Sequence, residues 1–251
     1  MEHDPIVDEF TRQSEAFNRS PVMRSADTLG RLIEALPCSP GERWLEAACG
    51  PGLVARALAP RVAAVHGVDL TPAMIELAQR ESAREGIGNV TYSVGDVTRL
   101  EFDDASFDGA VTRFSLHHIP RPVRVLRELA RVVRPGGPVV VADHLTSADS
   151  GVAAWHQEIE RLRDPSHWAC LSSDRLAELG AQAGLELERF DEYPFSLDYD
   201  EWLERGSGGQ SARELIGEAL AEREPGPPFF NVTADGQLHL VYGLAVWRRA
   251  A

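Results

Sequence analysis

The sequence predicts an α/β protein: a doubly wound sheet of seven strands, mostly parallel with the last strand antiparallel, carrying helical cap insertions. Three observations carry that reading. From Arg43 to His144 short apolar, β-branched runs alternate with longer helical patterns, as in βα units whose parallel sheet is covered on both faces. The chain has 251 residues, enough for one large domain with its own core. Hydrophobic residues at 43% and charged residues at 25% are ordinary globular proportions, which removes fibrous and disordered classes.

The first five strands fall near Arg43–Ala47, Ala64–Asp69, Val90–Val94, Asp108–Arg113 and Val139–His144. Thr71-Pro72 reads as an N-cap followed by proline at the first helical position, opening a helix to about Glu85. Pro122 to Val133 places Val123, Leu126, Leu129, Ala130 and Val133 on one helical face and ends at Arg134-Pro135-Gly136-Gly137. Beyond Thr146 the alternation stops. Helical patterns cover Gly151 to about Arg163 and Ser172 to Ala183, and a strand follows near Leu185–Tyr193. Helices near Tyr199–Arg205 and Ala212–Arg223, a Pro/Gly turn from Glu224 to Pro228 and a strand near Gln237–Trp247 complete the chain. The expected organisation is one domain, with a core at about 27–146 and 185–251, an N-terminal lid at about 1–26 and helical insertions at about 147–184 and 197–230.

Twenty-five basic residues against 39 acidic ones give a net charge of −14, which repels a phosphate backbone or an anionic membrane. Neither is an expected partner. All 25 basic residues are arginine, so lysine Schiff-base chemistry and Walker-type phosphate loops are excluded. Cys38, Cys49 and Cys170 are odd in number and lack CxxC spacing, and with no metal-ligand cluster the expectation is no metal and a reducing compartment. The N-terminus MEHDPIVDEFTRQ lacks an apolar signal core, and no apolar run approaches the ~18 residues of a membrane span, so a cytoplasmic location is expected.

The chemistry starts at the first strand–helix turn, Trp44-Leu45-Glu46-Ala47-Ala48-Cys49-Gly50-Pro51-Gly52-Leu53-Val54-Ala55. Glycine there lets backbone N–H groups and a helix N-terminus approach a ligand, which implies a nucleotide-like cofactor. The next strand ends at Asp69, 17 residues after Gly52, where a carboxylate can accept both hydrogen bonds of a ribose diol. Gly50-x-Gly52-x-x-Ala55 alone also matches the dinucleotide fingerprint. A nicotinamide-dependent oxidoreductase would require a catalytic Tyr or Lys near the fourth or fifth strand; the chain has no lysine and no tyrosine between Tyr92 and Tyr193.

Glu46 before the glycines, Gly95-Asp96-Val97 after the third strand, Phe107-Asp108 with Arg113 around the fourth, and Arg134-Pro135-Gly136-Gly137 before the fifth form an ordered set. With these motifs the chain resembles the Rossmann-like class I S-adenosylmethionine-dependent methyltransferases, in the small-molecule group that includes the ubiquinone and menaquinone enzymes. The resemblance covers roughly Phe10 to Ala183. It implies that Glu46 and the Gly50–Gly52 turn, with Ala48, hold the methionine end of S-adenosylmethionine and that Asp69 holds the ribose. It further implies that Leu70 and Met74 pack on the adenine, that Asp96 beside Val97 accepts from its amino group, and that Arg113 closes the pocket. Phe10, Gln13 and Phe17 resemble the lid segment of this group, and Arg163 and His167 belong to a recurrent stretch at the substrate end. The family commonly has glycine at Ala48 and Thr or Ser at Pro51; these two departures keep open a member that binds S-adenosylmethionine but catalyses a cyclisation or rearrangement.

Methyl transfer from a sulfonium needs an in-line nucleophile about 3 Å away, plus a base where that nucleophile carries a proton. His117 and His118, just past the fourth strand, and His144, ending the fifth, lie at the sheet edge where open α/β folds bind ligands. Each is a candidate base; the alternative is a structural histidine capping the following helix or a solvated loop residue. Trp155, Trp168, Tyr193, Phe195, Tyr199, Trp202, Phe229 and Phe230 either line an apolar substrate pocket or build core. Arginine as the sole basic residue fits a GC-rich coding sequence, a setting associated with secondary metabolism. The expected reaction is methyl transfer to oxygen or carbon of a small aromatic, quinone or polyketide-like molecule by a monomer or homodimer.

Overall fold

The computed structural model describes residues 4–222 and 229–250. Five parallel strands, β1 (Arg43–Ala47), β2 (Ala64–Asp69), β3 (Val90–Val94), β4 (Gly109–Arg113) and β5 (Pro138–His144), match the expected positions to within a residue. β6 (Leu185–Asp198), β7 (Phe230–Val232) and β8 (Gln237–Arg249) complete the sheet in the order β3-β2-β1-β4-β5-β8-β6, with β7 added beside β8. β8 runs antiparallel to β5, Ala142 opposite Leu244, as expected of the last strand.

The sheet therefore has eight strands and not seven. β7 is three residues long, too short to show an alternating pattern, and its pairing is made by the first half of β8, with Phe230 opposite Leu240. β6 also runs past the expected Tyr193 through Pro194 to Asp198, which an edge strand tolerates because proline's missing N–H faces outward.

The helices are α1 (Asp4–Arg19), α2 (Pro21–Arg24), α3 (Arg31–Ala35), α4 (Leu53–Leu58), α5 (Pro72–Arg84), α6 (Pro122–Val132), α7 (Ser150–Arg163), α8 (Ser173–Gln182), α9 (Tyr199–Arg205) and α10 (Gly209–Ala221). Several carry the caps their sequences specify. Asp149 accepts from the N–H groups of Gly151 and Val152 ahead of α7, and Asp198 accepts from Glu201 N ahead of α9. Thr71 occupies the N-cap of α5 but makes no side-chain cap bond. The Pro/Gly turn expected at Glu224–Pro228 lies outside the described residues.

Because successive strand residues face opposite sides, the sheet divides two cores. Trp44, Val65, Val111, Val140 and Leu244 pack with α4, Ile159 of α7, Trp202 of α9 and Ile216 of α10. Leu45, Val68, Ala110, Val141 and Trp247 pack on the other side with α6 and with Leu176 and Leu179 of α8. Thus α8 covers the sheet, and Gly180 is where it closes on the Trp247 indole. The segments that reach over the carboxyl ends of β4 and β5 are α1, α7 and the turn after it, and α9.

Candidate functional site

At the end of β1 the chain turns through three left-handed positions, Ala48 (φ 52°), Gly50 (φ 49°) and Gly52 (φ 74°). This geometry points Gly50 N–H at Asp69 Oδ2, 2.8 Å away, while Asp69 Oδ1 accepts from Thr71 N at 2.9 Å. One carboxylate so ties the end of β2 to the glycine turn. Burial pushes the Asp69 carboxyl above its ordinary value, against these two N–H contacts. A Cβ on Gly52 would meet the Tyr92 ring, so this glycine serves the closure of the turn onto β3.

Glu46 accepts from Ala55 N in the first turn of α4 at 2.7 Å, and its carboxyl is pushed up to about 8 by burial. Arg113, at the end of β4, donates through Nη2 to Met23 O at 2.9 Å, whereas its buried Nη1 has no hydrogen-bond partner among the described residues. Burial pushes this guanidinium down to about 10. The following residue, Phe114, is itself left-handed at φ 49°, a strained conformation for a bulky side chain at the hub of an aromatic cluster with His144, Phe195 and Tyr242.

These groups face one cavity of about 240 Å³ beyond the carboxyl ends of β1 to β4. Of the residues singled out in the sequence, Phe10, Phe17, Glu46, Ala48, Gly50, Asp69, Leu70, Met74, Asp96, Val97, Arg113 and His118 line it, and Gly52 does not. Asp96 Oδ1 accepts from Thr98 N at 2.8 Å, which turns the chain after β3 and sets Asp96 and Val97 in the wall.

A second, smaller chamber of about 40 Å³ shares Phe10, Phe17, Phe114 and His118 with the first. Gln13, His117, His144 and Arg163 line it from other elements, and His167 lines neither space. His117 Nδ1 lies 2.5 Å from Asp143 Oδ1. Asp143 also accepts the backbone N–H groups of Leu116 at 2.7 Å, His117 at 3.3 Å and His144 at 2.8 Å. For the His117 imidazole, burial works against protonation but Asp143 outweighs it, so the pKa is raised; the Asp143 carboxyl, buried yet so well partnered, is lowered.

The neighbouring histidines differ. His118 is pushed down to about 4 by burial and by His117, and its Nδ1 lies 3.1 Å from Ser166 Oγ, which donates to Asp164 Oδ1 at 2.6 Å. His144 stacks on His117 at 5.0 Å, keeps a buried, unpartnered Nε2 and is pushed down to about 3 by burial. His167 is pushed down to about 2, chiefly by burial, and its Nε2 is held by Gln157 Oε1 at 2.6 Å behind the chamber. Arg163 donates to Glu160 Oε2 from Nη2 at 3.1 Å and lies 4.9 Å over the Trp202 ring, while Gln13 of α1 bridges Glu9 at 2.6 Å and Asp164 at 3.2 Å.

Sequence reasoning gave no individual site role to Asp143, Asp164, Ser166 and Arg205, although Asp164 and Ser166 lie in the stretch that holds Arg163 and His167. Asp143 was discoverable, being an acid next to a histidine at the end of a central strand. The others have no local signal, because what gives them a role is contact with distant segments.

Among the described residues no helix is long and apolar enough to cross a membrane, and no group of three metal-ligating side chains is placed to hold an ion. Residues 45–141 match the family model described as methyltransferase domain. They form a methyltransferase domain. This domain holds β1 through most of β5 and so contains Glu46, Asp69, Arg113 and both His117 and His118, while α1, α7 and α9 lie outside it. The chain is 29% identical over 197 residues to the uncharacterized methyltransferase YcgJ of Bacillus subtilis, covering 78% of each protein. The crystal structure of YcgJ superposes with a TM-score of 0.83 at 27% identity, covering 89% of this chain and 98% of that one. A demethylmenaquinone methyltransferase of Clavibacter sepedonicus is 36% identical over 55% of this chain and 57% of its own. A 27-O-demethylrifamycin SV methyltransferase of Amycolatopsis mediterranei is 32% identical over 63% of this chain and 59% of its own.

Proposed function

We propose that the chain transfers a methyl group from S-adenosylmethionine to oxygen or carbon of a small molecule. The observation that carries this reading is the convergence of Glu46, the Gly50 turn, Asp69, Asp96 and Arg113, from four strand ends, on one cavity of the methyltransferase domain. The residues fit the cofactor. Each Asp69 oxygen accepts one N–H and keeps lone pairs for a ribose diol, and the unpartnered, buried Arg113 Nη1 is a donor suited to a carboxylate such as that of a methionine moiety. Leu70, Met74 and Val97 supply apolar wall for a purine, with Asp96 beside them as an acceptor.

When bound, the sulfonium supplies a methyl group already activated for displacement. The protein has then to exclude water, align the acceptor and hold its proton. Phe10 and Phe17 of α1 supply apolar wall to the cavity. Among the three histidines, His117 is the base in this reading: its Nδ1–H donates to Asp143, leaving Nε2 to accept a proton, and Asp143 favours the resulting imidazolium. His118 and His144, held neutral by burial, bound the space between base and donor. The relatives that act on demethylmenaquinone and on demethylrifamycin SV support an aromatic, quinone or polyketide-like acceptor.

Calorimetric titration with S-adenosylmethionine, S-adenosylhomocysteine and NAD tests the cofactor before any acceptor is known. Binding of the two sulfur nucleosides and not of NAD is expected. NAD binding, or no binding, overturns the proposal.

A further inference from the structure

The walls of the smaller chamber are unbalanced in donors and acceptors. Its lining carboxylate is satisfied: Asp164 Oδ1 accepts from Ser166 N at 2.9 Å and from Ser166 Oγ at 2.6 Å, and its Oδ2 accepts from Gln13 Nε2 at 3.2 Å. Arg163 is likewise engaged, with Nε at 3.3 Å and Nη2 at 3.1 Å from Glu160 Oε2. Arg205 is not. This last residue of α9 lines the chamber, makes no hydrogen bond and no ion pair among the described residues, and buries its Nε without a partner. Leaving a guanidinium donor both dehydrated and unpaired carries the cost of an unmade charged hydrogen bond, which an acceptor placed opposite would recover.

The placement of Arg205 is fixed by backbone packing. Gly206 and Gly208 follow it, a Cβ on either would strike the carbonyl oxygens of Arg163 or Leu162, and Gly208 N donates to Arg163 O at 2.9 Å. The turn after α9 is thereby clamped on the end of α7, and the Arg205 side chain is held over the chamber.

We propose that this chamber is an anion subsite in which the Nε–Nη edge of Arg205 takes a carboxylate carried by the methyl acceptor. That edge presents two parallel N–H groups, the geometry that matches a carboxylate in bidentate fashion. The chamber, at about 40 Å³, has room for roughly three water-sized groups, which is the size of a carboxylate and not of a whole substrate. The remainder of the molecule lies past Phe10, Phe17 and Phe114, the aromatic throat shared with the larger cavity, where the acceptor atom meets the methyl donor. Only the name methyl acceptor rests on the proposed methyl transfer; the anion subsite itself does not.

The test uses the full chain and calorimetric titration with acetate and benzoate against their neutral counterparts acetamide and benzamide. The acids are expected to bind at least tenfold tighter than the amides, and this preference is expected to vanish in Arg205→Met and in Arg205→Gln while S-adenosylhomocysteine affinity is kept. Equal binding of acids and amides to the unaltered protein overturns the anion subsite, as does an acid preference that survives both substitutions. Because the bare Arg113 Nη1 in the larger cavity could also favour an acid, the substitutions assign the preference to Arg205, and the second substitution decides should the first fail to fold. An acid preference without S-adenosylhomocysteine binding would sustain the subsite and remove the methyl-transfer reading, so the two failures are distinguishable.

Discussion

Replacing Asp143 by Asn changes one oxygen to an NH₂ group at a position where every surrounding group is a donor. Oδ1 accepts from the His117 ring at 2.5 Å and from His144 N at 2.8 Å, and Oδ2 accepts from Leu116 N at 2.7 Å and from His117 N at 3.3 Å. An amide nitrogen on the Oδ2 side orphans two backbone N–H groups. On the Oδ1 side it orphans His144 N–H and forces the His117 ring into the other tautomer, with Nδ1 accepting. A buried unsatisfied group costs about 1–3 kcal/mol, so the gentler orientation still predicts a loss of about 2 kcal/mol and the other about 4. Either way the attraction that raises the His117 pKa is gone, and that ring must titrate at lower pH. Urea unfolding at an unchanged m-value gives the first quantity, and ring-nitrogen NMR of His117 gives tautomer and titration. A stability loss under about 0.5 kcal/mol together with an unchanged His117 titration would refute the account of this pair.

Three further outcomes follow from the same geometry. Asp69→Ala removes the cavity-lining carboxylate proposed to hold the ribose, so S-adenosylhomocysteine affinity should fall at least tenfold in calorimetry, each charge-assisted hydrogen bond being worth about 1.5–3 kcal/mol; unchanged affinity would displace Asp69 from the site. Ala48→Gly relieves a left-handed alanine at φ 52°, a strain of about 1–2 kcal/mol, against about 0.4–1 kcal/mol of added unfolded-chain entropy. A net gain of about 0.5–1 kcal/mol in urea unfolding is expected, and a loss would contradict it. His118, His144 and His167 have folded pKa values pushed down to about 4, 3 and 2, below the ordinary histidine value, so below neutrality the unfolded chain binds protons that the folded chain refuses. Glu46, whose folded carboxyl is pushed up to about 8, holds a proton that the unfolded chain lacks above about pH 4.5 and offsets one of the three. Stability should then fall between pH 6 and 5 with a slope of about two protons, roughly 3 kcal/mol per pH unit, in urea unfolding across that range; a slope below one proton would show these rings to be charged or solvated. His117, whose folded pKa is raised, contributes in the opposite sense, its stabilisation being present in acid and lost as the pH rises through its folded value.

The half of the site that surrounds the larger cavity was legible in the sequence because it is made of strand ends. Parallel strands announce themselves by β-branched runs whose last residues lie at the carboxyl edge, and Asp69 was found by that rule, while the roles of Glu46, Asp96 and Arg113 came from the family resemblance laid over the same strand ends. β7 escaped it because three residues cannot show a period, and the extension of β6 past Tyr193 escaped because Pro194 reads as a terminator unless the strand is known to lie at an edge. Backbone strain was equally silent. Nothing in the letters marks Phe114 as left-handed, since phenylalanine is among the residues least suited to that conformation.

The polar half was legible only as a list of histidines with Gln13 and Arg163, and the reason is physical. A histidine becomes a base, a spacer or a strut according to what holds its nitrogens, and those partners come from elsewhere in the chain: Asp143 on β5 for His117, Ser166 after α7 for His118, Gln157 on α7 for His167. The link between Gln13 and Asp164 spans 151 positions and leaves no local pattern. Burial makes such partnerships obligatory, because an unpaired polar group in the interior costs more than most side-chain contacts return. The exceptions are therefore the informative atoms. Asp143 and Asp164 are filled by the protein's own N–H and O–H groups, whereas Arg113 Nη1 in the larger cavity and Arg205 Nε and His144 Nε2 in the smaller one have no partner among the described residues. Two bare guanidinium donors, one facing each chamber, are what the proposed cofactor carboxylate and the proposed anion subsite rest on, and their lack of partners is a property of the folded molecule that no reading of residue types in order could supply.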